Sequence, residues 1–160
     1  MELSTVEIKI PKSSNVVIGQ THFIKSIEDL YEAMVTSVPG VKFGVAFAEA
    51  SGDCLVRHDG NDQELRQASV EACMNIGAGH AFVIFMRDAF PINVLNRLKG
   101  LQEVCNIFCA TANPVEVVVA KGSAGRGILG VIDGSTPKGV EGERESAERV
   151  EFLRRIGYKR

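Results

Sequence analysis

The 160-residue chain predicts a single α/β domain over residues 1–160: a layered α/β/α sandwich with a mixed β-sheet. Three observations carry that expectation. Strand-like apolar runs alternate with amphipathic helical stripes over most of the length. The run AFVIFM is apolar without a break, as in a strand covered on both faces. The length suits one domain, and no internal repeat or low-complexity segment interrupts it.

Each element follows from its local pattern. In STVEIKIP, Val6, Ile8 and Ile10 alternate with polar residues, the period of a strand with one wet face. Lys12-Ser13-Ser14-Asn15 has turn chemistry, and Val16 to Gly19 reads as a short buried strand. Ser26 with Asp29 resembles a capping box, after which Ile27, Leu30, Tyr31, Met34, Val35 and Val38 form one helical stripe ended by Pro39-Gly40. VKFGVAFAEA and CLVRH flank Ser51-Gly52-Asp53 as a hairpin. Asn61 with Glu64 opens a second helix, with Leu65, Ala68, Ala72 and Ile76 inward and Gly77 and Gly79 at its close. Pro91 begins a short third helix with Ile92, Leu95 and Leu98 inward. CNIFCATA, PVEVVVA and GILGVIDG read as strands. Residues 134–142 read as a flexible loop, a linker or lid, before a charged helix from about Glu143 to Ile156.

Composition excludes several classes of function. Eighteen Lys and Arg against 20 Asp and Glu leave a net charge of −2, which gives no electrostatic footprint for nucleic acid or an anionic membrane. No apolar run nears the ~20 residues of a membrane span. The amino-terminal MELSTVEIKIPK lacks the basic and apolar regions of a secretory signal. Cys54, Cys73, Cys105 and Cys109 form no CxxC, and no histidine stands at finger spacing, which argues against a metal site. Cys105 and Cys109 read as small buried hydrophobes. Reduced thiols and a cytoplasmic address are expected. Aromatic content is only 6% with no Trp, so one monomer's core is modest and burial between subunits would add stability.

GRGILG matches GxGxxG, but its glycines lead into a strand rather than a helix, so a hairpin or bulge is the better reading. No P-loop and no protein-kinase signature occurs. His58 lies by a turn and reads as solvated; His80 reads as a helix-end cap unless strand order gives it more to do. His22 sits between a strand end and a helix start. Ligands in open α/β sheets bind at strand ends, and three buried-looking strands here end in function-capable residues. The first leads to Thr21, His22 and Lys25, the second to Arg87 and Asp88 with Asn93 and Asn96 in the helix beyond, the third to Thr111 and Asn113. If those strands run parallel, one rim would hold all of them together with two helix N-termini, an environment suited to phosphate. A free imidazole titrates near about 6.5, so it is largely neutral at pH 7 and can attack phosphorus.

GQTHFIKSIEDLYEAMVTSVPG, KFGVAFAEASG, IGAGHAFVIFMRDAFPINVLN and CNIFCATANPVEVVVA, in that order, resemble the adenosine-specific kinase family from about Val6 to Gly139. The resemblance implies an α/β/α fold, a homotrimer, AMP or adenosine binding, and a phosphorylated histidine next to the nucleotide. Carried onto this chain, that histidine is His22 or His80, with the strand-end argument favouring His22. The expected activity is phosphoryl transfer to the ribose 5′-hydroxyl of adenosine. Arg87 and the helix at Pro91 would hold phosphate, Asp88 is a candidate base, and Lys25, Asn93, Asn96, Thr111 and Asn113 are candidate substrate contacts. Mg²⁺ would fit such a transfer, and the phosphate donor is unknown. The alternative is an AMP- or adenosine-binding module without turnover.

Overall fold

Eight strands and four helices follow one another in a computed structural model that describes residues 1–160. The order is β1 (Glu2–Ile8), β2 (Asn15–Thr21), α1 (Ser26–Ser37), β3 (Lys42–Ala48), β4 (Val56–Gly60), α2 (Gln63–Ile76), β5 (Ala81–Arg87), α3 (Pro91–Lys99), β6 (Val104–Thr111), β7 (Val115–Lys121), β8 (Arg126–Asp133) and α4 (Glu143–Arg155). Five strands form the central sheet, in the order β4-β3-β5-β2-β6; a smaller sheet has the order β1-β7-β8. The α/β fold class is as expected, but every ladder in both sheets is antiparallel. A lone bridge between Ala78 and Arg126 supplies the one parallel pairing.

The central sheet is covered on both faces. On one face Val17, Phe43, Val45, Phe82, Ile84 and Met86 pack against Ile27, Leu30 and Met34 of α1 and Val94 and Leu98 of α3. On the other, Val16, Ile18, Ala46, Val83 and Phe85 pack against Leu65, Cys73 and Ile76 of α2 and Val115, Val117 and Val119 of β7. AFVIFM is dry on both faces because one alternate set meets each layer. Fully burying an aliphatic or phenyl side chain stabilises by about 1.5–3 kcal/mol, so this double-sided sheet is the main source of fold stability.

Several local expectations change. Ser26 is not a cap: Lys25 holds that position, with no side-chain bond to the helix. Asp62, not Asn61, caps α2, accepting from the Leu65 N–H at 3.0 Å. Asn61 instead bridges to β3, accepting from Phe43 N at 2.9 Å and donating to Val41 O at 2.7 Å. Ile92 is 65% exposed, since the α3 stripe turns on Val94 and Leu98. Cys105 is exposed, facing away from the core that takes Cys109. The GRGILG glycines lie around a β7–β8 hairpin with a register shift at Val118/Val119. The 134–142 stretch has no regular structure, and α4 beyond it buries no residue.

Gly44 marks the closest approach between α2 and the central sheet. A Cβ there would overlap the backbone of Leu65 and Arg66. Gly44→Ala should therefore destabilise the fold by about 3 kcal/mol, read as a lowered urea midpoint with an unchanged m-value.

Candidate functional site

Antiparallel pairing divides the expected rim in two. β2 lies between β5 and β6 and runs opposite to both. Its carboxyl end, with Thr21 and His22, therefore meets the beginnings of β5 and β6. The ends of those strands lie at the other rim, roughly 20 Å away by the rise of a seven-residue strand.

The first rim gathers both histidines. The Thr21 N–H donates to the His80 carbonyl at 2.9 Å, and the His22 N–H donates to the Glu103 carbonyl at 3.0 Å. The Thr21-His22 backbone is thus pinned to the residue just before β5 on one side and the residue just before β6 on the other, with the His22 side chain exposed. A hydroxyl relay fixes the turn: the Ser26 hydroxyl donates to the Phe23 carbonyl, so the Thr21 hydroxyl, 2.7 Å away, donates to Ser26. Both hydroxyl residues are buried, and they tie the end of β2 to the uncapped start of α1. Three residues separate His22 from that helix start, where the Ser26 N–H goes to the Phe23 carbonyl, no side chain caps the N–H groups that follow, and Glu28 and Asp29 stand in the first turn.

His80 is more than a helix-end cap. Gly77 closes α2 in the left-handed region, and three residues later His80 itself stands at φ 65°. That backbone costs a non-glycine residue about 1 kcal/mol or more and is held here by neighbours. Its N–H donates to the Ala48 carbonyl at 2.7 Å, and its ring stacks on Phe47, with centroids 6.1 Å apart and planes 18° apart. The two imidazoles project from adjacent strand ends but make separate ring contacts, His22 lying 6.3 Å from Phe23.

Two clefts flank this rim. One, of about 720 Å³, lies between Ile24 and Ile27 on one wall and Leu55, His58, Val70 and Met74 on the other. The second, of about 560 Å³, runs past Ala48, Glu49, Cys54, Gly79 and Arg126. Glu49 ties the hairpin between them: its carboxylate accepts from Leu55 N and Arg57 Nε, both at 2.9 Å. Those two donors, Leu55 first, hold its carboxyl below the usual range.

Lys25 is also at this rim, but committed. Its ammonium sits 2.7 Å from Asp29 and donates to Gln102 at 3.3 Å. The Asp29 bond, the largest influence, raises the Lys25 pKa, and the same bond lowers that of Asp29. Beside them Glu103 is buried, with both carboxyl oxygens lacking a donor. Glu103 had no signature in LQEV, because nothing local distinguishes a buried turn carboxylate from a solvated one.

Of the remaining residues, Arg87, Asn93, Thr111 and Asn113 lie at the second rim and are held by structural partners. Arg87 bonds to Glu64 at 2.9 Å, to the Lys12 carbonyl at 3.1 Å and to the Ser14 hydroxyl at 3.2 Å. The Arg87 bond lowers the Glu64 pKa. Asn93 caps α3, accepting from Phe90 N at 2.9 Å; Asn96 is exposed on the same helix. Thr111 accepts from Asn113 N at 3.0 Å, and the Asn113 side chain donates to Asp133 at 3.1 Å. Asp88 is exposed at φ 60° on the turn after β5. The helix start at Pro91 is therefore remote from His22. No cluster of three or more His, Cys, Asp or Glu side chains is arranged to hold a metal ion.

A family model described as adenosine specific kinase matches residues 6–159. The crystal structure of the PH1918 protein from Pyrococcus horikoshii OT3 superposes with a TM-score of 0.95 at 42% sequence identity, over 99% of this chain and 98% of that one. No curated protein matches.

The cysteines separate by burial. Desolvation raises the Cys73 thiol to about 12 and the Cys109 thiol to about 11, whereas Cys54 and Cys105 are exposed. A thiol-reactive disulfide reagent at pH 8 should modify Cys54 and Cys105 in the native protein, with Cys73 and Cys109 reacting only after denaturant is added.

Proposed function

The chain belongs to the adenosine-specific kinase family, and from that membership we propose that it phosphorylates adenosine to AMP at the rim shared by His22 and His80. The observation that carries this reading is the Thr21–His80 backbone pair, which sets two imidazoles on adjacent strand ends beside an uncapped helix start. The His22 imidazole nitrogen attacks the terminal phosphorus of a donor; an N–P bond forms, the P–O bond to the donor breaks, and the donor leaves. The adenosine 5′-hydroxyl then attacks that phosphorus as the N–P bond breaks, and its proton passes to the His80 imidazole. The flanking cleft at Ile24, Leu55 and Met74 is apolar enough for a purine face. A Mg²⁺ ion, if the transfer uses one, would ride on the donor's phosphates, since the chain supplies no acidic cluster for it.

A homotrimer belongs to the same reading. α4 buries nothing, while Val150 and Phe152 on it and Ile156 just past its end are exposed, which leaves apolar surface for another subunit to cover. No helix is long and apolar enough to cross a membrane, which is compatible with a cytoplasmic address. A second reading, an AMP- or adenosine-binding module without turnover, draws on the openness of the rim: with His22 exposed, nothing in a single subunit shields a phosphoryl group from water.

Intact-mass measurement decides between them. The phosphorylated protein should carry one phosphate that is lost in acid and kept in alkali. His22→Ala should lose both the adduct and turnover; full turnover in that variant removes His22 as nucleophile. Arg87→Gln, at the far rim, should lower the unfolding temperature and leave turnover near wild type. His80→Gly should keep or raise the unfolding temperature, because glycine accepts φ 65° freely, while turnover falls roughly a hundredfold or more.

A further inference from the structure

Glu103 is the one fully buried charged residue, at 1% exposure, and neither of its carboxyl oxygens meets a donor. A carboxylate so placed is strongly disfavoured unless it is paired or neutralised. Its nearest cation is a poor partner: Lys25 Nζ is 3.7 Å from Glu103 but 2.7 Å from Asp29, which claims the ammonium first. The other groups on this side do not compensate. Gln102 presents its carbonyl to Lys25, and Arg97 of α3 pairs with Glu32 of α1 at 3.7 Å. The ionisable groups that act on Glu103 are therefore Lys25 and Asp29, from the start and first turn of α1, and these two line a small cavity of about 220 Å³ together with Glu32 and Arg97.

We propose that Glu103 carries a proton at neutral pH, donates it to Asp29, and through this shared-proton pair acts as a positioning residue for His22. The last clause rests on the rim of His22 being the phosphoryl-transfer site. The link is direct: the Glu103 carbonyl receives the His22 N–H, and Lys25, three residues after His22, is the ammonium that Asp29 holds. Ionising Glu103 sets two carboxylates against one ammonium. The loop from His22 to Lys25 is what can move to relieve that repulsion.

The direction of titration agrees. Burial, the largest influence, raises the Glu103 pKa, and Asp29 raises it further, while Lys25 lowers that of Asp29. For Glu103, raised in the fold, no stability is lost below the ordinary carboxylate range; stability falls as pH rises through its folded value. For Asp29, lowered in the fold, the stabilisation is present above the ordinary range and is lost as pH falls through its folded value.

Glu103→Gln keeps a neutral donor of the same shape, and Glu103→Ala removes the donor. Infrared spectra of the wild type at pH 7 should contain the stretch of a protonated carboxyl that is missing in Glu103→Gln. That variant should keep turnover within about threefold of wild type and flatten the fall in unfolding temperature between pH 5 and pH 8. Glu103→Ala should lose about tenfold or more in rate, as expected when the proton shared with Asp29 is lost and the His22 site is misplaced. No protonated-carboxyl band at pH 7, or a rate loss in Glu103→Gln as large as in Glu103→Ala, overturns the proposal. If Glu103→Ala does not fold, the infrared band and the Glu103→Gln rate still decide. If the wild type converts no adenosine, the proposed function alone has failed. The band then tests the proton, and the His22 amide NMR shift tests the positioning: it should hardly differ between wild type and Glu103→Gln at pH 7, and a large difference counts against it.

Discussion

The placement of β2 between β5 and β6, antiparallel to both, is the constraint on which the rest depends. Val16, Val17 and Ile18 are fully buried, so β2 needs a layer on each face and a strand on each edge. Once both edges are satisfied, its carboxyl end must stand beside the first residues of β5 and β6. The neighbourhood of His22, with His80 on one side and Glu103 on the other, follows from that pairing and not from closeness in sequence. The hydroxyl relay from Thr21 through Ser26 to Phe23 then fixes how the chain leaves the strand.

Much of the fold was legible because local physics dictates it. The stripe through Ile27, Leu30 and Met34, the proline opening α3 and the continuous run of β5 needed no tertiary information. Strand direction did. An unbroken apolar run shows that both faces are covered, but it reads the same whether the neighbouring strand runs up or down. Here helices α1 and α3 cover one face while α2 and a second sheet cover the other, so an antiparallel sheet is as fully buried as a parallel one would be. That ambiguity merged two rims into one in the sequence. The pairing separates them, and leaves Arg87, Asn93 and Asn113 in capping and bracing roles that their residue types serve equally well.

His80 shows the complementary case. In GAGHA the residue was visible and its helix-end position correct, but its left-handed backbone and its stacking on Phe47 exist only once β3 and β5 pair. Glu103 was beyond sequence reasoning altogether. Its burial arises where the α3–β6 turn closes over the start of α1, and no local pattern encodes that closure. The rim thus joins two exposed or half-exposed imidazoles to one buried carboxyl group, and the buried side-chain polar atoms without a partner are those of Glu103, beside the proposed chemistry.

The most direct measurement is a crystal structure with AMP bound. The account predicts the phosphate within hydrogen-bonding distance of His22 or His80, near the start of α1, with the adenine in one of the two flanking clefts. AMP seated instead at the opposite rim, its phosphate on Arg87 and the start of α3, would contradict it.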